Sequence, residues 1–257
     1  MAAELSSPLV PWTLPEPTAL DLGSGPCPAP GYVGVDLCGE ANGGFGFQAS
    51  GNHSSGFGGE TPEAPKAQSP EPSSPVLYCD LFAGTPWPFA SGSVERLRAW
   101  HVIEHIPHER IVVGTTRVTR TVRSVDREPQ VHRESIPAKQ EAFFWFFDEA
   151  YRIARPGCRF ELAWPHPQSD DADQDPTHCR RVPVSMLHYL SREGRRTLRV
   201  HHYPVACDWT VEPGSVVELA HDEKLAPFTL ADGSVDFAAA KRAHGVFHEI
   251  VATLVKL

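Results

Sequence analysis

The stretch LDLGSGPCPAPGYVGVDL, residues 20–37, places an aspartate near the end of each of two short apolar runs, with a glycine turn between them. Asp21 and Asp36 would be costly to bury unless hydrogen bonds satisfied their carboxylates. Gly23 and Gly25 let the backbone turn tightly and approach a ligand that a Cβ would keep away. We therefore expect both carboxylates to face one ligand beyond the carboxyl ends of the strands, where open α/β sheets bind ligands.

A third apolar run, VLYCDLF, ends in the same way at Asp80. At the end of the second strand, Asp36 is placed to accept hydrogen bonds from the two hydroxyls of a ribose. At the end of the third, Asp80 is placed to accept from an exocyclic amine such as that of adenine. These positions predict a nucleoside-type ligand at the strand ends.

The segment HVIEHIPH contains His101, Glu104 and His105 in the H-x-x-E-H order of inverted zinc proteases. That chemistry requires a continuous helix, which places both histidines on one face, and a distant third ligand. Residues 94–102 read as a strand instead, so a zinc hydrolase is only a remote alternative. We expect Glu104 and His105 to orient a loop by hydrogen bonds, and we assign no metal ligands. Whether this pair binds a divalent ion stays open.

A polar loop, DADQDPTHCRR, follows the fifth predicted strand. His178 is the best candidate for a catalytic base, because a neutral imidazole accepts a proton near pH 7. Asp175 could orient His178 or bind an acceptor group, and Arg180 and Arg181 could engage an anion. The alternative, equally weighted, is a capped loop without chemistry, since Asp before proline and Thr after it are common in turns.

These residues must be positioned by an α/β sheet. Apolar runs predict strands in TALDLG, GYVGVDL, VLYCDLF, SVERLRAWHVI and CRFELAWP. The segment KQEAFFWFFDEAYRIARPG has the apolar spacing of a helix, which Pro156 and Gly157 are expected to end. Two further β-like stretches, TLRVHHYPVACDWTVEPG and FHEIVATLVKL, finish the chain without a helix between them. The pattern predicts a mostly parallel sheet with an antiparallel edge strand.

Two insertions interrupt one domain that spans residues 1–257. Residues 40–75 are rich in Gly, Ser and Pro and predict a disordered insertion. Residues 110–135 alternate in polarity and predict an arginine-rich hairpin.

Composition and charge argue against several classes of function. The chain has 257 residues, 41% of them hydrophobic, and a net charge of -9, which argues against a large polyanionic partner such as nucleic acid. Six cysteines form no C-x-x-C pair, so neither a zinc finger nor a disulfide framework is indicated. No apolar run is long enough for a membrane helix and no leader opens the chain, so we expect a cytoplasmic protein that does not use a membrane.

Taken in order, LDLGSGPCPAPGYVGVD, CDLFAGTPWPFASGSVERLRAWHVIEHI and FFDEAYRIARPGCRFELAWP resemble the class I S-adenosylmethionine-dependent methyltransferases. The resemblance covers most of the chain. It is greatest to a branch with HVIEH-like and QDPTHCR-like segments after strands four and five. It implies a Rossmann-like sheet of seven strands and S-adenosylmethionine as the cofactor.

The resemblance also implies site residues. The methionine end of the cofactor would be lined by Asp21, Gly23 and Gly25. Asp36 and Leu37 would hold the ribose and the adenine edge, Asp80 and Leu81 would contact the adenine, and His101 would lie beneath the sulfonium. The chain departs from the family pattern in one respect: only residues 24–31 are available where the family has a full helix between strands one and two.

We predict methyl transfer to an O or N atom of a small-molecule acceptor, with His178 and Asp175 as the catalytic residues. The amino-methylating and cytosine-C5 nucleic-acid motifs are absent from the sequence. The alternative is a non-catalytic binding module on a methyltransferase fold, which would use the arginine hairpin to hold a partner. Neither the acceptor nor the oligomeric state follows from the sequence.

Overall fold

The computed structural model describes residues 18–25, 28–36, 76–124 and 127–257. The predicted insertion at 40–75 and the predicted cofactor residue Leu37 lie outside these ranges.

Ten strands and five α-helices make up the described chain. The strands are β1 (Thr18–Leu22), β2 (Val33–Asp36), β3 (Val76–Tyr78), β4 (Val94–Trp100), β5 (Arg110–Ser124), β6 (Arg127–Glu141), β7 (Ala154–Pro165), β8 (Trp209–Val211), β9 (Val217–Ala220) and β10 (Phe247–Lys256). The helices are α1 (Ala142–Ile153), α2 (Asp171–Gln174), α3 (Arg192–Thr197), α4 (Asp222–Leu225) and α5 (Phe237–Ala240). Three 3-10 segments lie at Ile103–His105, Val184–Leu190 and Ala226–Phe228.

The main sheet has the order β3-β2-β1-β4-β7-β10-β8, and β9 also pairs with β10. Neighbours from β3 to β7 pair in parallel, whereas β10 runs antiparallel to β7, β8 and β9. The predicted Rossmann-like α/β class is therefore confirmed. The antiparallel strand lies one place in from the edge, because the short strands β8 and β9 pair with its outer side. Strands β2 and β3 are added on one side of β1, and β4 and β7 are added on the other side. The position between β1 and β4 is therefore the topological switch point of the sheet.

Helix α1 covers one face of the sheet. Its buried residues include Phe143, Phe146 and Phe147, which pack with Leu97 of β4 and Phe160 of β7 in the main core. This spacing is the apolar stripe of an amphipathic helix. The helix ends at Ile153, before the predicted Pro-Gly stop, because the residue preceding a proline is disfavoured in helical conformation. The Pro-Gly pair therefore lies inside β7.

The opposite face of the same strands carries charged side chains. Asp21 of β1, Arg98 of β4 and Glu161 of β7 are register neighbours across three adjacent strands. Arg98 also stacks on the exposed ring of Trp100, with its guanidinium carbon 3.7 Å from the ring centroid. Alternate residues of β4 thus point into the core or towards this polar face.

The hairpin forms a separate two-stranded sheet, in which β5 pairs antiparallel with β6 over a span that reaches Glu141 rather than residue 135. No helix joins β1 to β2 among residues 23–25 and 28–32, so this parallel connection is a loop. Within the described ranges, no helix has both the length and the apolar character needed to cross a membrane.

Candidate functional site

The glycine turn after β1 packs directly against the segment after β4. Gly23 and Gly25 have positive φ angles of 69° and 58°, which favour glycine. The Gly23 amide donates to the Val35 carbonyl at 2.6 Å. A Cβ built on Gly23 would lie 2.5 Å from Cγ2 of Val102, so the two loops can pack this closely only because glycine has no side chain. The turn therefore joins the loops on either side of the switch point.

Asp21 lies beneath this turn and has protein partners. It is 3% exposed, and its Oδ2 accepts hydrogen bonds from the Arg98 guanidinium at 2.8 Å and the Ala29 amide at 2.9 Å. Burial raises the pKa of the Asp21 carboxyl, although the bonds to Ala29 and Arg98 act in the opposite direction. The buried acid thus holds the β1–β2 loop to the neighbouring strand.

The next two strand-end acids lie side by side at the carboxyl edge. Asp36 is half-buried at the end of β2, and its carbonyl accepts from the Cys79 amide at 3.0 Å. Asp80 is exposed two residues beyond β3, and its Oδ1 accepts from the Phe82 amide at 2.8 Å. Leu81 is fully buried in the main core. The sheet order therefore places Asp36 next to the glycine turn and Asp80 one strand further from it.

His101 follows β4 in a left-handed turn, with a φ of 54°. Its Nδ1 lies 3.3 Å from Glu104 Oε1 and its Nε2 lies 2.9 Å from Glu249 Oε1. Burial opposes protonation, but the nearby charges of these two carboxylates raise the pKa of His101 to about 9. His101 is therefore a cation at neutral pH, held between two acids.

The structure contradicts the zinc hydrolase alternative. Strand β4 ends at Trp100, and only a 3-10 turn at Ile103–His105 follows. The H-x-x-E-H pattern needs a helix to bring both histidines to one ion. His101 instead contacts Glu104 Oε1 through Nδ1 and Glu249 Oε1 through Nε2, so its ring is held between these two carboxylates.

Glu104 is the least satisfied polar group of this edge. It is 2% exposed, and within the described residues neither carboxylate oxygen has a hydrogen-bond partner. The 3.3 Å contact with His101 is an ion pair without hydrogen-bond geometry. The Glu104 carbonyl accepts from the amides of Cys179 and Arg180 at 2.8 and 3.1 Å. Its backbone is thus anchored to the loop after β7, while its carboxylate is left without such bonds.

The loop after β7 contains both predicted catalytic residues. Asp175 Oδ1 accepts from the Thr177 hydroxyl at 2.6 Å and from the Thr177 amide at 2.8 Å, and these bonds lower the pKa of the Asp175 carboxyl. His178 has its Nδ1 3.2 Å from the Ala172 carbonyl oxygen and its Nε2 4.0 Å from Asp175 Oδ2. Asp175 and His178 are therefore neighbours, and the imidazole is held by the carbonyl.

The structure brings His178 against His105, a pairing that sequence reasoning missed. The two rings meet edge to face, with centroids 4.7 Å apart. His105 Nδ1 lies 3.3 Å from the Thr177 carbonyl oxygen, and burial lowers the pKa of His105. The order of the strands was the available signal: β4 and β7 are parallel neighbours, so the loops that follow them meet.

Arg180 does not face an anion site, in contrast to the prediction. It is 8% exposed and donates to the carbonyls of Ile106 at 2.7 Å and Pro107 at 2.6 Å. It also pairs with Glu141 at 3.1 Å. Arg181 is exposed and paired with Asp173. Arg180 therefore fastens the loop after β7 to the segment after β4, because buried guanidinium groups need this many acceptors.

No protein-family model matches the sequence, and neither does any curated protein. Several solved structures that match over most of the chain are named methyltransferases. An S-adenosylmethionine-dependent methyltransferase from Archaeoglobus fulgidus is 11% identical, with a TM-score of 0.47 over 93% of this chain and 86% of that one.

Two others differ from each other in their acceptors. A geranyl diphosphate C-methyltransferase from Streptomyces coelicolor, solved with Mg²⁺, geranyl diphosphate and S-adenosylhomocysteine, is 12% identical, with a TM-score of 0.40 over 94% of this chain and 71% of that one. A 16S rRNA adenine-N1 methyltransferase from Catenulisporales acidiphilia is 11% identical, with a TM-score of 0.39 over 94% and 88%. Because these scores lie below 0.5, the fold stated above rests on the strand order of this chain itself.

Proposed function

We propose that this chain transfers a methyl group from S-adenosylmethionine to an O or N atom of a small-molecule acceptor. The observation that carries the proposal is the arrangement at the switch point between β1 and β4. There, a glycine turn, the half-buried Asp36 of the adjacent β2 and the loop after β7 share one carboxyl edge. Open α/β sheets bind ligands in this crevice.

The cofactor half of the proposed site lies over β1, β2 and β3. Backbone amides of the turn at Gly23 and Gly25 would approach the methionine end, and Asp36 would accept hydrogen bonds from the ribose hydroxyls. Asp21 supports the turn from below through Ala29. At the adenine edge we propose Leu37 and Asp80 as contacts, whereas Leu81, which is fully buried in the core, would support this edge without touching the cofactor. S-adenosylmethionine would supply a methyl group activated by its sulfonium charge.

Charge at the middle of the edge suits a sulfonium. His101 carries one positive formal charge when protonated, and the two carboxylates that contact it, Glu104 and Glu249, carry two negative ones. Without a bound metal ion the group is therefore net negative, and it attracts a cation despite containing one. We place His101 beneath the sulfonium on this basis.

The acceptor half lies over β4 and β7. His178 donates from Nδ1 to the Ala172 carbonyl, so its lone pair is on Nε2, on the side of Asp175. That atom can accept the acceptor's proton or hold the acceptor in line with the methyl group. Asp175, whose carboxyl has a lowered pKa and is partly exposed, would bind an acceptor hydroxyl or amine. Small acceptors fit the net charge of -9, which disfavours nucleic acid.

Calorimetry tests the cofactor half. S-adenosylmethionine and S-adenosylhomocysteine should each bind the folded protein at one site. Asp36→Ala should weaken binding by about 1–3 kcal/mol, the range for lost hydrogen bonds to a charged group. The exposed Asp222 of α4 offers a control, and Asp222→Ala should bind like the wild type. Absence of binding by well-folded wild-type protein would refute the proposed function.

Turnover tests the acceptor half. Labelled cofactor should transfer its methyl group to a member of a panel of phenols, amines and sugars. His178→Ala should then lower kcat by roughly 10²–10⁴-fold with cofactor affinity unchanged, the span for a lost general base. The exposed His188 provides the matched control variant, His188→Ala. Transfer only to nucleic acid or protein would contradict a small acceptor, and no transfer to any acceptor would favour a binding module.

A further inference from the structure

Three side chains that bind metals in other proteins converge between the loops after β4 and β7. Glu104 and His105 come from the 3-10 turn after β4, and His178 comes from the loop after β7. One ligand atom from each lies within 4.8 Å of the other two. The sequence places His178 far from the other two, so only the parallel pairing of β4 with β7 brings them together.

The Glu104 carboxylate of this cluster is buried without accepting a hydrogen bond from any described residue. Glu104 is 2% exposed, and apart from the 3.3 Å ion pair with His101 Nδ1 neither of its oxygens has a hydrogen bond from the described part of the chain. A buried carboxylate is costly unless it is paired and hydrogen-bonded or coordinates a metal. Other buried acids of this chain, such as Asp21 and Glu149, do accept hydrogen bonds.

Both imidazoles are held in the tautomer that binds metals through Nε2. His178 Nδ1 lies 3.2 Å from the Ala172 carbonyl oxygen. His105 Nδ1 lies 3.3 Å from the Thr177 carbonyl oxygen and 3.1 Å from the Thr177 hydroxyl, whose own proton goes to Asp175. A carbonyl accepts only, so each Nδ1 carries the proton and each Nε2 carries the lone pair. Metal-binding histidines are oriented by this same kind of bond.

The two segments are fastened to each other independently of any ion. The Glu104 carbonyl accepts from the amides of Cys179 and Arg180, and the Arg180 side chain bonds the Ile106 carbonyl at 2.7 Å. These contacts fix the backbone on both sides of the cluster. A site held in this way loses little conformational freedom when a ligand binds.

We propose that Glu104, His105 and His178 bind a divalent transition-metal ion, with Zn²⁺ as the reference. Two imidazole nitrogens and one carboxylate oxygen suit Zn²⁺ and its neighbours, whereas Mg²⁺ and Ca²⁺ prefer oxygen ligands alone. Metal–ligand bonds of about 2.0–2.2 Å would draw the three atoms inward from their present spacing. Three protein ligands leave a coordination position open for a small molecule.

The site goes beyond methyl transfer, because its argument uses neither the cofactor nor the acceptor. It also specifies how His178 would act if both proposals hold. A lone pair of Nε2 that binds an ion cannot accept a proton, so His178 would hold the acceptor through the ion. A metal-bound hydroxyl loses its proton more readily than a free one.

Metal binding to the full chain tests the proposal directly. The protein is first stripped with a chelator, then titrated with Zn²⁺ by calorimetry and with Co²⁺ by visible absorption. One ion should bind per chain. The variants Glu104→Gln, His105→Gln and His178→Gln should each lose roughly 100-fold or more in affinity, since even outer partners of metal ligands contribute 10–100-fold. Zn²⁺ should also raise the unfolding temperature of the wild type but not of these variants.

Two exposed histidines control for surface binding in a chain with 13 histidines. His108→Gln, three residues from His105, and His188→Gln should bind Zn²⁺ like the wild type. Absence of one-to-one binding by the wild type would overturn the proposal. So would equal binding by the wild type and the three cluster variants. S-adenosylmethionine affinity, measured on the same samples, shows whether the cofactor proposal stands or falls separately.

Discussion

Two buried glutamates of this fold differ in the hydrogen bonds that their carboxylates accept. Glu149 of α1 is 5% exposed, and Glu104 after β4 is 2% exposed. Glu149 accepts from the Trp87 amide at 2.8 Å and makes three further hydrogen bonds, at 2.8–3.0 Å, with Nε and Nη2 of Arg152. No comparable bond to the Glu104 carboxylate exists in the part of the chain that the structure describes.

The difference separates a charge that connects two structural elements from one that we propose binds a metal ion. Arg152 also donates to the carbonyls of Trp87 and Phe89, so Glu149 and Arg152 tie α1 to the segment before β4. Among the described residues, Glu104 is hydrogen-bonded through its backbone carbonyl, and its carboxylate makes an ion pair with His101 without a hydrogen bond. Replacing each acid by its neutral isostere should therefore have opposite consequences for stability and for binding.

Glu149→Gln should have the largest effect on stability. The amide cannot balance the Arg152 charge or accept all four hydrogen bonds, so the free energy of unfolding should fall by about 3–5 kcal/mol. Urea denaturation followed by circular dichroism measures this loss. Cofactor and Zn²⁺ affinity of the remaining folded protein should not change. A loss below about 1 kcal/mol would mean that Glu149 is not a residue on which stability depends, and the comparison with Glu104 would fail.

Gly23→Ala should have the second-largest effect on stability. The variant tests the contact between the loops on the two sides of the switch point. The left-handed φ costs about 1–2 kcal/mol for a residue with a Cβ. The 2.5 Å approach to Val102 should add about 1–3 kcal/mol of overpacking.

Gly31→Ala is the matched control for that variant. Gly31 lies in the same loop with a φ of 82°, and a Cβ there meets no atom within 4 Å. Thermal unfolding should show the greater loss for Gly23→Ala. Equal losses would mean that the contact with Val102 is not tight.

Asp21→Asn should have an intermediate effect on stability, because Asp21, like Glu149, accepts hydrogen bonds that hold structural elements together. Its carboxylate accepts from Arg98 and Ala29, and hydrogen bonds to charged groups contribute about 1.5–3 kcal/mol. Urea denaturation should show a loss in that range. S-adenosylmethionine binding should weaken less than in Asp36→Ala. The reverse ranking would mean that Asp21 contacts the ligand directly.

Glu104→Gln should have the smallest effect on stability and a clear effect on metal binding. The substitution removes a buried charge that lacks hydrogen bonds, which favours folding, and it also removes the ion pair with His101, which opposes folding but leaves His101 paired with Glu249. The two effects oppose each other, so the free energy of unfolding of the metal-free protein should change by less than about 1 kcal/mol. Chemical denaturation in the presence of a chelator measures it. A loss as large as that of Glu149→Gln would mean that Glu104 is a structural residue.

Much of the fold follows from local patterns in the sequence. Apolar runs predict β1, β2, β4 and β7, and the spacing of three phenylalanines predicts α1. The glycine turn between β1 and β2 follows from residue type, because only glycine accepts these φ angles readily. Strand β9 was missed because its alternation is short and its pairing with β10 depends on contacts distant in sequence.

The candidate site divides in the same way. Local chemistry suggests His178 and Asp175, but neither the partner of Asp21 nor the meeting of His178 with His105 is encoded nearby. Arg98 approaches Asp21 only through the pairing of β1 with β4. His101 was expected at a strand end, and the left-handed turn that directs it to Glu249 depends on β10, far along the chain.

A crystal structure with S-adenosylhomocysteine and a candidate acceptor tests the central claim, that the carboxyl edge of this sheet is one site with two halves. The account predicts the cofactor product over the turn at Gly23 and Gly25, with its ribose hydroxyls bonded to Asp36. It predicts the acceptor beside His178. A cofactor product bound away from this edge, with Asp36 and His178 both untouched, would contradict the account.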